Sequence, residues 1–586
     1  MHHLLPLLAA GPLLGATLLV AAGRRLPRVV AESFACAVCA ATAVLALVLL
    51  LNSSPPLTEW VGGWRPVHGE SVGIMVIGDG PSLGMAALVS LLTLAALVYS
   101  WHYFEEPPRG HAGSYPALML AFQAGMCGFT IAGDLFNMFV FFELMSVVAY
   151  VLTGFRIDEA KAVQGALTFG VVNSLGAYAM LTGIGLLYAR TGELAMSRIG
   201  RGLDAHGRPD ALVLAAFVLV LTALLVKAAA VPFHLWLPDA HAVAPTPVCM
   251  LLSGVMVELG AYGVWRVYGT IFAGPGGIPA ADLERALVVL GVLTAVVGAV
   301  MCWHQRHIKR LLANSTIAHT GLFLAALGVL TPEGDDGAAL YILGHAGVKA
   351  ALFACTGILL DRYGNVDERA LHGRGRDLRT VGVLFGIGGL ALAGLPPFGT
   401  GIGKAVSEEA VGGPLTVLFV LASAVTAGAV LRVAARVFLG LGAPPPKGTA
   451  YETTGADEEP ETAGRLDRIP VTMILVPAVL LAGALAVGVA PGFPAVVSRA
   501  VAEAGTGRTP VDVHWTSTGV LLGCLSSLLA VGLAAVAVVR PGLLAAPNWA
   551  LPLRRLQSGH VGDYVAWLLV GATVLGALAL PGVLGG

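Results

Sequence analysis

The sequence predicts an all-α polytopic membrane protein with about sixteen transmembrane helices, and three observations support that fold class. The chain of 586 residues is 56% hydrophobic and only 12% charged, about half the charged fraction of an ordinary soluble domain. Apolar stretches long enough to cross a bilayer recur along the whole chain. The 76 glycines are typical of membrane helices whose backbones pack closely. A water-soluble globular fold is therefore excluded.

The charge balance and the cysteines exclude several functions. With 34 basic and 35 acidic residues, the chain has no bulk attraction for nucleic acid. Cys36 and Cys39 form a CxxC pair inside an apolar run, without the four spaced ligands that an iron–sulfur or zinc site needs. The sequence contains no glycine-rich nucleotide loop. We therefore expect no metal site and no redox or nucleotide cofactor in this chain.

Composition also suggests how the chain is organised. One connector has the composition of a linker, because GAPPPKGTAYETTGADEEPETAGRLDR is rich in proline and acidic residues. The predicted segments are 1–110 with transmembrane helices one to three, 111–275 with helices four to eight, 280–440 with helices nine to thirteen, the polar loop 441–468, and 469–586 with three C-terminal helices.

Loop charges predict the orientation in the membrane. Arginine-rich loops follow the first, ninth and eleventh predicted spans, and the positive-inside rule places them on the cytoplasmic side of the inner (plasma) membrane. This puts the N-terminus outside. The N-terminal segment lacks a basic n-region, so we expect a retained first helix rather than a cleaved signal peptide. One loop disagrees, because Arg190, Arg198, Arg201 and Arg208, after the sixth span, would lie outside.

Two acidic residues lie inside apolar spans, where a charge is costly and therefore indicates function. Glu143 lies well within the fifth span, in DLFNMFVFFELMSVVAYVLTG. The alternative is a structural carboxylate that pairs two helices, but a neutral glutamine would do that at lower cost. Glu258 lies in the eighth span, and its expected partner is a lysine on a neighbouring helix.

Two lysines lie beside interruptions in predicted helices. Lys227 precedes Pro232 in the seventh span, whereas Lys404 follows Pro396 and Pro397 in the twelfth. Broken helices persist at membrane depth only where they line a protected polar cavity. The mirrored order predicts two inverted five-helix repeats, with broken helices seven and twelve and ion sites where half-helices meet. For Lys227, the alternative is a side chain that snorkels to the interface.

Histidines supply further proton carriers. His345 and Lys349 share one face of the eleventh span by their i,i+4 spacing, and histidine titrates near neutrality, so this pair predicts a proton relay. A single buried histidine is more often a structural group. His234, His241 and His319 are therefore secondary candidates for the proton path.

Together these segments resemble one family, the antiporter-like membrane subunits of respiratory complex I, of group 4 membrane-bound hydrogenases and of Mrp-type multisubunit sodium/proton antiporters. The resemblance covers about residues 80–440, through GDLFNMFVFFELMS, VKAAAVPFHLWLPDAHAVAPTPV, HQRHIKRLLANSTIAHTGL, GHAGVKAALF and LPPFGTGIGK in order. It implies a fourteen-helix core with two inverted half-channels and no redox centre in the chain. The family's proton-carrying residues correspond to Glu143, Lys227 and Lys404.

One position departs from the family, which usually carries lysine or histidine where this chain has Glu258. A carboxylate there could relay protons, pair with Lys227 or Lys349, or help to coordinate sodium. The proton-translocation residues predicted from the sequence are Glu143, Lys227, Glu258, His345, Lys349 and Lys404.

The resemblance leaves two functions open. The first is a proton-translocating subunit of a complex I-like NADH-quinone oxidoreductase or hydrogenase complex, with a peripheral redox arm among its partners. The second is a subunit of an Mrp-type sodium/proton antiporter without a redox reaction. Both imply other membrane subunits as partners and protons as cargo, with sodium as an open alternative. A stand-alone solute transporter is disfavoured, because the sequence indicates no solute pocket.

Overall fold

The computed structural model describes residues 1–54, 56–66, 73–101, 103–104, 113–445, 455, 458–462, 464–504, 509–540, 542 and 558–584. They form twenty α-helices and one two-stranded sheet. The helices are α1 (Leu7–Ala22), α2 (Arg28–Leu50), α3 (Gly80–Tyr99), α4 (Ser114–Ile131), α5 (Leu135–Thr153), α6 (Ala160–Thr191), α7 (Met196–His206), α8 (Ala211–Lys227), α9 (Trp236–Val243), α10 (Thr246–Phe272), α11 (Ala280–His304), α12 (Ile308–Gly328), α13 (Pro332–Tyr363), α14 (Arg379–Leu392), α15 (Gly399–Val411), α16 (Gly413–Val437), α17 (Val471–Val489), α18 (Phe493–Ala504), α19 (Ser517–Val539) and α20 (Val561–Leu584).

The predicted fold class is confirmed. In the described part of the chain, thirteen helices are long and apolar enough to cross a membrane. The shorter apolar helices α8 and α14 belong to the two interrupted segments. Of the predicted polar loop 441–468, residues 446–454, 456–457 and 463 lie outside the described residues.

A small β-hairpin departs from the all-helix prediction. Strand β1 (Leu57–Trp60) pairs antiparallel with β2 (Met75–Gly78). Directly after β2, the Asp79 side chain caps α3 by accepting the backbone N–H of Ser82 at 3.0 Å, and it also forms an ion pair with Arg266 of α10 at 2.6 Å. Strands of four residues are too short for alternation to reveal them in an apolar sequence.

Three short helices, α7, α9 and α18, lie outside the predicted spans. Helix α7 carries two of the arginines that disagree with the predicted orientation, Arg198 and Arg201, and Arg198 donates to Glu193 at 2.9 Å. Helix α13 begins earlier than predicted, because Thr331 caps it and the acidic residues that follow occupy its first turn. Negative charge at a helix N-terminus is favourable.

The most polar spanning helix is also the most buried. Helix α12 has the lowest mean hydropathy of the thirteen, 1.3, and its spanning window is 100% buried. Its neighbours α10 and α13 are each 94% buried, whereas α1, α2 and α20 leave most of their surface open. Apolar helices can face lipid, but ionisable side chains must face the bundle interior. The centre of the bundle is therefore α10, α12 and α13.

Both predicted helix breaks are present. Helix α8 ends at Lys227 and α9 begins at Trp236, whose indole N–H donates to the carbonyl of Val226 at 3.0 Å. Helix α14 ends at Leu392, and the Thr400 hydroxyl of α15 donates to the carbonyl of Ala391 at 2.5 Å. At each break, a side chain of the second helix thus hydrogen-bonds the last turn of the first. The inverted symmetry of the two repeats remains a prediction.

The backbones of helices α11 and α12 pack so closely that no side chain fits at Gly321. A Cβ atom there would lie 2.3 Å from the backbone nitrogen of Ala295. We expect Gly321→Ala to lower the thermal stability of the purified protein in detergent, because overpacking costs about 1–3 kcal/mol. Gly386→Ala is the control, since nothing lies within 4 Å of its Cβ position. Equal melting temperatures for both variants would contradict this packing.

Candidate functional site

Lys227 is held by a serine hydroxyl at the first helix break. The lysine is fully buried at the end of α8, and its Nζ donates to Ser146 Oγ at 2.6 Å. The Phe142 ring lies below it, with the ring centroid 4.4 Å from Nζ. Ser146 donates its own proton to the Phe142 carbonyl at 2.6 Å, so its lone pairs face the lysine.

Glu143 acts on Lys227 through charge. Its side chain is half-buried, and Oε1 is buried without a hydrogen-bond partner in the part of the chain that the structure describes. The two residues interact electrostatically, but the direct contact of Lys227 is to Ser146. Ser146 follows Glu143 by three residues and therefore lies on the same face of α5. We did not predict Ser146, although this spacing from Glu143 could have indicated it.

At the centre of the bundle, Glu258 pairs with His345. Glu258 of α10 follows a π turn at Leu252–Met256, and its Oε1 lies 2.6 Å from His345 Nδ1 of α13. Both side chains are 0% exposed. The prediction that a lysine is the direct partner of Glu258 is therefore wrong. His345 makes the direct contact, and Lys349 interacts with Glu258 only through charge. Among the described residues, Glu258 Oε2 and His345 Nε2 have no partner, so each remains open to a proton.

His319 extends this central pair toward α16. Its ring stacks on His345 with centroids 5.0 Å apart. Its Nδ1 lies 2.8 Å from the Tyr341 hydroxyl, and its Nε2 lies 3.2 Å from Thr426 Oγ1 of α16. His319 also interacts electrostatically with Lys404. Predicted as a secondary candidate, His319 thus lies between the central pair and the second helix break.

Lys349 lies one helical turn after His345, as the spacing predicted. Its Nζ donates to Ser315 Oγ and to the Leu312 carbonyl of α12, both at 2.5 Å. Nζ also lies 5.6 Å from the centroid of the Phe353 ring. The structure therefore brings Glu258, His345 and Lys349 together, as the sequence predicted.

Lys404 has two partners at the second break. Its Nζ donates to Ser526 Oγ of α19 at 2.6 Å and forms an ion pair with Glu408 Oε1 at 3.0 Å. Glu408 was not predicted, although its i,i+4 spacing from Lys404 is a signal in the sequence. Ser526 could not be predicted as a partner, because it is 122 residues away along the chain.

Three of the four buried lysines in the described residues share one kind of partner. Lys227, Lys349 and Lys404 each donate to a serine hydroxyl on a neighbouring helix. A hydroxyl oxygen can accept from an ammonium group and equally from the N–H of a neutral amine, so the contact survives a change of protonation state. A carboxylate partner would favour the charged form alone. Serine therefore suits a lysine that exchanges its proton.

The remaining two histidine candidates differ. His234 lies between α8 and α9, and its Nδ1 has no hydrogen-bond partner within the described ranges. Within the described residues, no hydrogen bond, ion pair or ring contact joins His234 to Glu258, His345 or Lys349. His241 of α9 is fully buried and stacks on Phe353, with ring centroids 4.6 Å apart. The Phe353 ring therefore contacts both His241 and Lys349.

The geometry defines a class of protein, a polytopic helical membrane protein with a row of buried ionisable side chains between two helix breaks. The family described as NADH:quinone oxidoreductase/Mrp antiporter, TM, matches residues 132–434. The chain belongs to this family.

Individual relatives come from both branches of the family. NADH-quinone oxidoreductase subunit N of Desulforudis audaxviator is 33% identical over 362 residues, which cover 61% of this chain and 70% of the relative. A Staphylococcus saprophyticus protein that carries the name antiporter subunit mnhD2 is 31% identical over 369 residues, 62% of this chain and 71% of the relative. A chain of the Mrp complex from Dietzia sp. DQ12-45-1b superposes with a TM-score of 0.71 at 26% identity, covering 92% of this chain and 98% of that one.

Ser146 provides a test of the lysine contacts. Ser146→Ala removes a hydrogen bond to a charged group, which is worth about 1.5–3 kcal/mol. We expect proton uptake by vesicles that contain the assembled protein to slow by about tenfold, as that energy implies. Ser174→Ala is the matched control, because Ser174 lines a groove on the surface of α6. Uptake at the parental rate in Ser146→Ala would show that Lys227 does not depend on this contact.

Proposed function

We propose that this chain is a proton-translocating membrane subunit of a complex I-like NADH-quinone oxidoreductase or membrane-bound hydrogenase complex. One observation carries the proposal: a row of titratable side chains lies at the two helix breaks and in the most buried helices of the bundle. The members of the row are Glu143, Lys227, Glu258, His345, Lys349, His319, Lys404 and Glu408. Such a row is too costly to be kept for packing.

Charge coupling supplies a mechanism for the row. At an effective dielectric constant of 20, an ion pair at 4 Å is worth about 4 kcal/mol before desolvation. Moving a carboxylate away from a buried lysine therefore makes the ammonium form much less stable, and the lysine releases its proton. The Glu143–Lys227 and Lys404–Glu408 pairs can act in this way, at opposite ends of the row.

The second candidate is a subunit of an Mrp-type sodium/proton antiporter. It is supported by the Mrp chain that matches almost the whole length of this protein, 92% of it. Glu258 offers carboxylate oxygens at the centre of the bundle, and such oxygens suit hard cations such as sodium. Sodium as cargo is part of this candidate alone.

Several features follow from the first candidate. We propose a plasma-membrane location with the N-terminus outside, and other membrane subunits together with a peripheral redox arm as partners. We propose no metal or redox cofactor in this chain. We also propose that residues 111–275 and 280–440 are the two inverted antiporter-like repeats, since each contains one broken helix with a buried lysine.

The two candidates differ in what they bind. Purification from native membranes in mild detergent, with identification of the associated proteins, separates them. An associated arm with iron–sulfur centres, and electron transfer that drives proton movement, supports the oxidoreductase. Only small hydrophobic partners, and proton movement driven by a sodium gradient, support the antiporter.

Glu143→Gln tests proton translocation itself. The neutral amide keeps the size of the side chain but cannot exert the charge on Lys227, so we expect most proton uptake to be lost while assembly is retained. Vesicles that contain the whole complex are assayed with a pH-sensitive dye. Glu284→Gln is the control, because Glu284 is exposed on α11. Parental uptake in Glu143→Gln would refute the role of this residue.

A further inference from the structure

The polar loop 441–468, which follows α16, places one carboxylate inside the bundle. Glu461 is only 6% exposed although it belongs to a polar loop. Its carboxylate accepts from Lys309 Nζ of α12 at 2.5 Å, from the Tyr103 hydroxyl at 2.8 Å and from the backbone N–H of Thr246 at 2.7 Å. The residues that it contacts lie at one end of the bundle, which we call the loop face.

A second carboxylate, Asp361, lies beside Glu461. Asp361, near the end of α13, is 0% exposed, and its Oδ1 accepts the backbone N–H of Glu461 at 2.8 Å. Its Oδ2 is buried without a hydrogen-bond partner among the described residues. Lys309 can balance only one of the two carboxylates. A buried oxygen without a donor is the position where a proton stabilises the cluster most.

A cavity on the loop face comes close to the cluster. The cavity, of about 240 Å³, borders Tyr103, whose hydroxyl donates to Glu461. Thr462, the residue after Glu461, lines the same cavity. This volume is large enough for several waters, since one water needs about 30 Å³. Water that enters the cavity therefore reaches Tyr103 and Thr462, the hydrogen-bond partner and the chain neighbour of Glu461.

A polar route leads from the cluster toward the central row. Lys309 Nζ also donates to the carbonyl of Ala244, directly after α9, at 3.1 Å. One turn earlier on α9 is His241, whose two ring nitrogens are buried and have no hydrogen-bond partner within the described residues. His241 interacts electrostatically with both Lys309 and Lys349, and its ring stacks on Phe353.

Helix geometry requires an intermediate carrier on this route. Asp361 and Lys349 are twelve residues apart on α13, which is about 18 Å along a helix. A proton cannot cross that distance in one transfer, because proton donors and acceptors must lie within hydrogen-bond reach or be bridged by water. His241 is a buried titratable group that interacts electrostatically with Lys309, the partner of Glu461, and with Lys349.

We propose that Glu461 and Asp361 form a proton-input site at the loop face, from which His241 carries protons to Lys349. The inference rests on the proposed function. A proton from water converts one carboxylate of the pair to a carboxylic acid. The acid then passes its proton through bridging water to the neutral His241 imidazole and returns to carboxylate. The imidazolium passes its proton through a second bridging water to the Lys349 amine and becomes neutral again. No bond other than those to the moving proton changes.

The competing role for Glu461 is structural, as a counter-charge that keeps Lys309 buried. Glu461→Gln separates the roles when assayed in inside-out vesicles that contain the whole complex. We expect proton uptake to fall by about tenfold or more, as for loss of a proton-transfer group. Formate added outside the vesicles should then restore uptake, because a small weak acid can deliver protons to the next carrier but cannot repair packing.

Matched variants serve as controls. Glu459→Gln changes an exposed carboxylate of the same linker and should leave uptake at the parental rate. Glu461→Asp keeps a titratable group and should retain more uptake than Glu461→Gln. If Glu461→Gln fails to assemble, Asp361→Asn is assayed with the same formate addition and distinguishes the two roles instead. The amide oxygen of this variant can still accept the backbone N–H of Glu461.

The outcomes distinguish this inference from the proposed function. Parental uptake in both Glu461→Gln and Asp361→Asn, alongside loss in Glu143→Gln, would overturn the input site and leave the proposed function intact. Loss of uptake that formate does not restore, in a correctly assembled variant, would also overturn it and assign Glu461 to structure. Absence of any proton uptake in the parental complex would overturn the proposed function and this inference together.

Discussion

Compensation of buried charge is the constraint on which the centre of this bundle depends. The cost of an unpaired ion in a dry interior is several kcal/mol, so each ionisable group must find a partner on another helix or lose its charge. The hydrogen bond between Glu258 and His345 links α10 to α13, and Ser315 of α12 holds Lys349 beside it. The same contacts that make these charges tolerable also join them into a row.

The two helix breaks place their lysines in different electrostatic surroundings. Lys227 is the last residue of α8, where the negative end of the helix dipole favours an ammonium group, and its direct side-chain partner is neutral. Lys404 lies in the second turn of α15, where the helix end gives no such help, and there a carboxylate, Glu408, makes the ion pair. The helix dipole therefore helps to stabilise the charge of Lys227, whereas a carboxylate stabilises that of Lys404, although both lysines contact a serine.

Sequence alone could predict the helices, the breaks and most of the buried ionisable groups, because apolar runs, prolines and intramembrane charges are local signals. It could not predict which groups meet. The pairing of Glu258 with His345 depends on how α10 and α13 are rotated, and Ser526 comes from a helix far along the chain. Glu461 could not be predicted for another reason. An acidic, proline-rich segment is typical of solvent-exposed linkers, whereas the burial of Glu461 depends on its contacts with Lys309, Tyr103 and Thr246.

The most direct test of the row is at Glu258, the carboxylate that contacts His345 at its centre. Glu258→Gln and Glu258→Lys are compared for proton uptake in vesicles that hold the whole complex. We predict that glutamine abolishes uptake and that lysine restores a substantial part of it, because the position needs a group that can bind and release a proton beside His345. If both variants assemble and take up protons like the parent, Glu258 has no part in the path, and the central row is not the route of the proton.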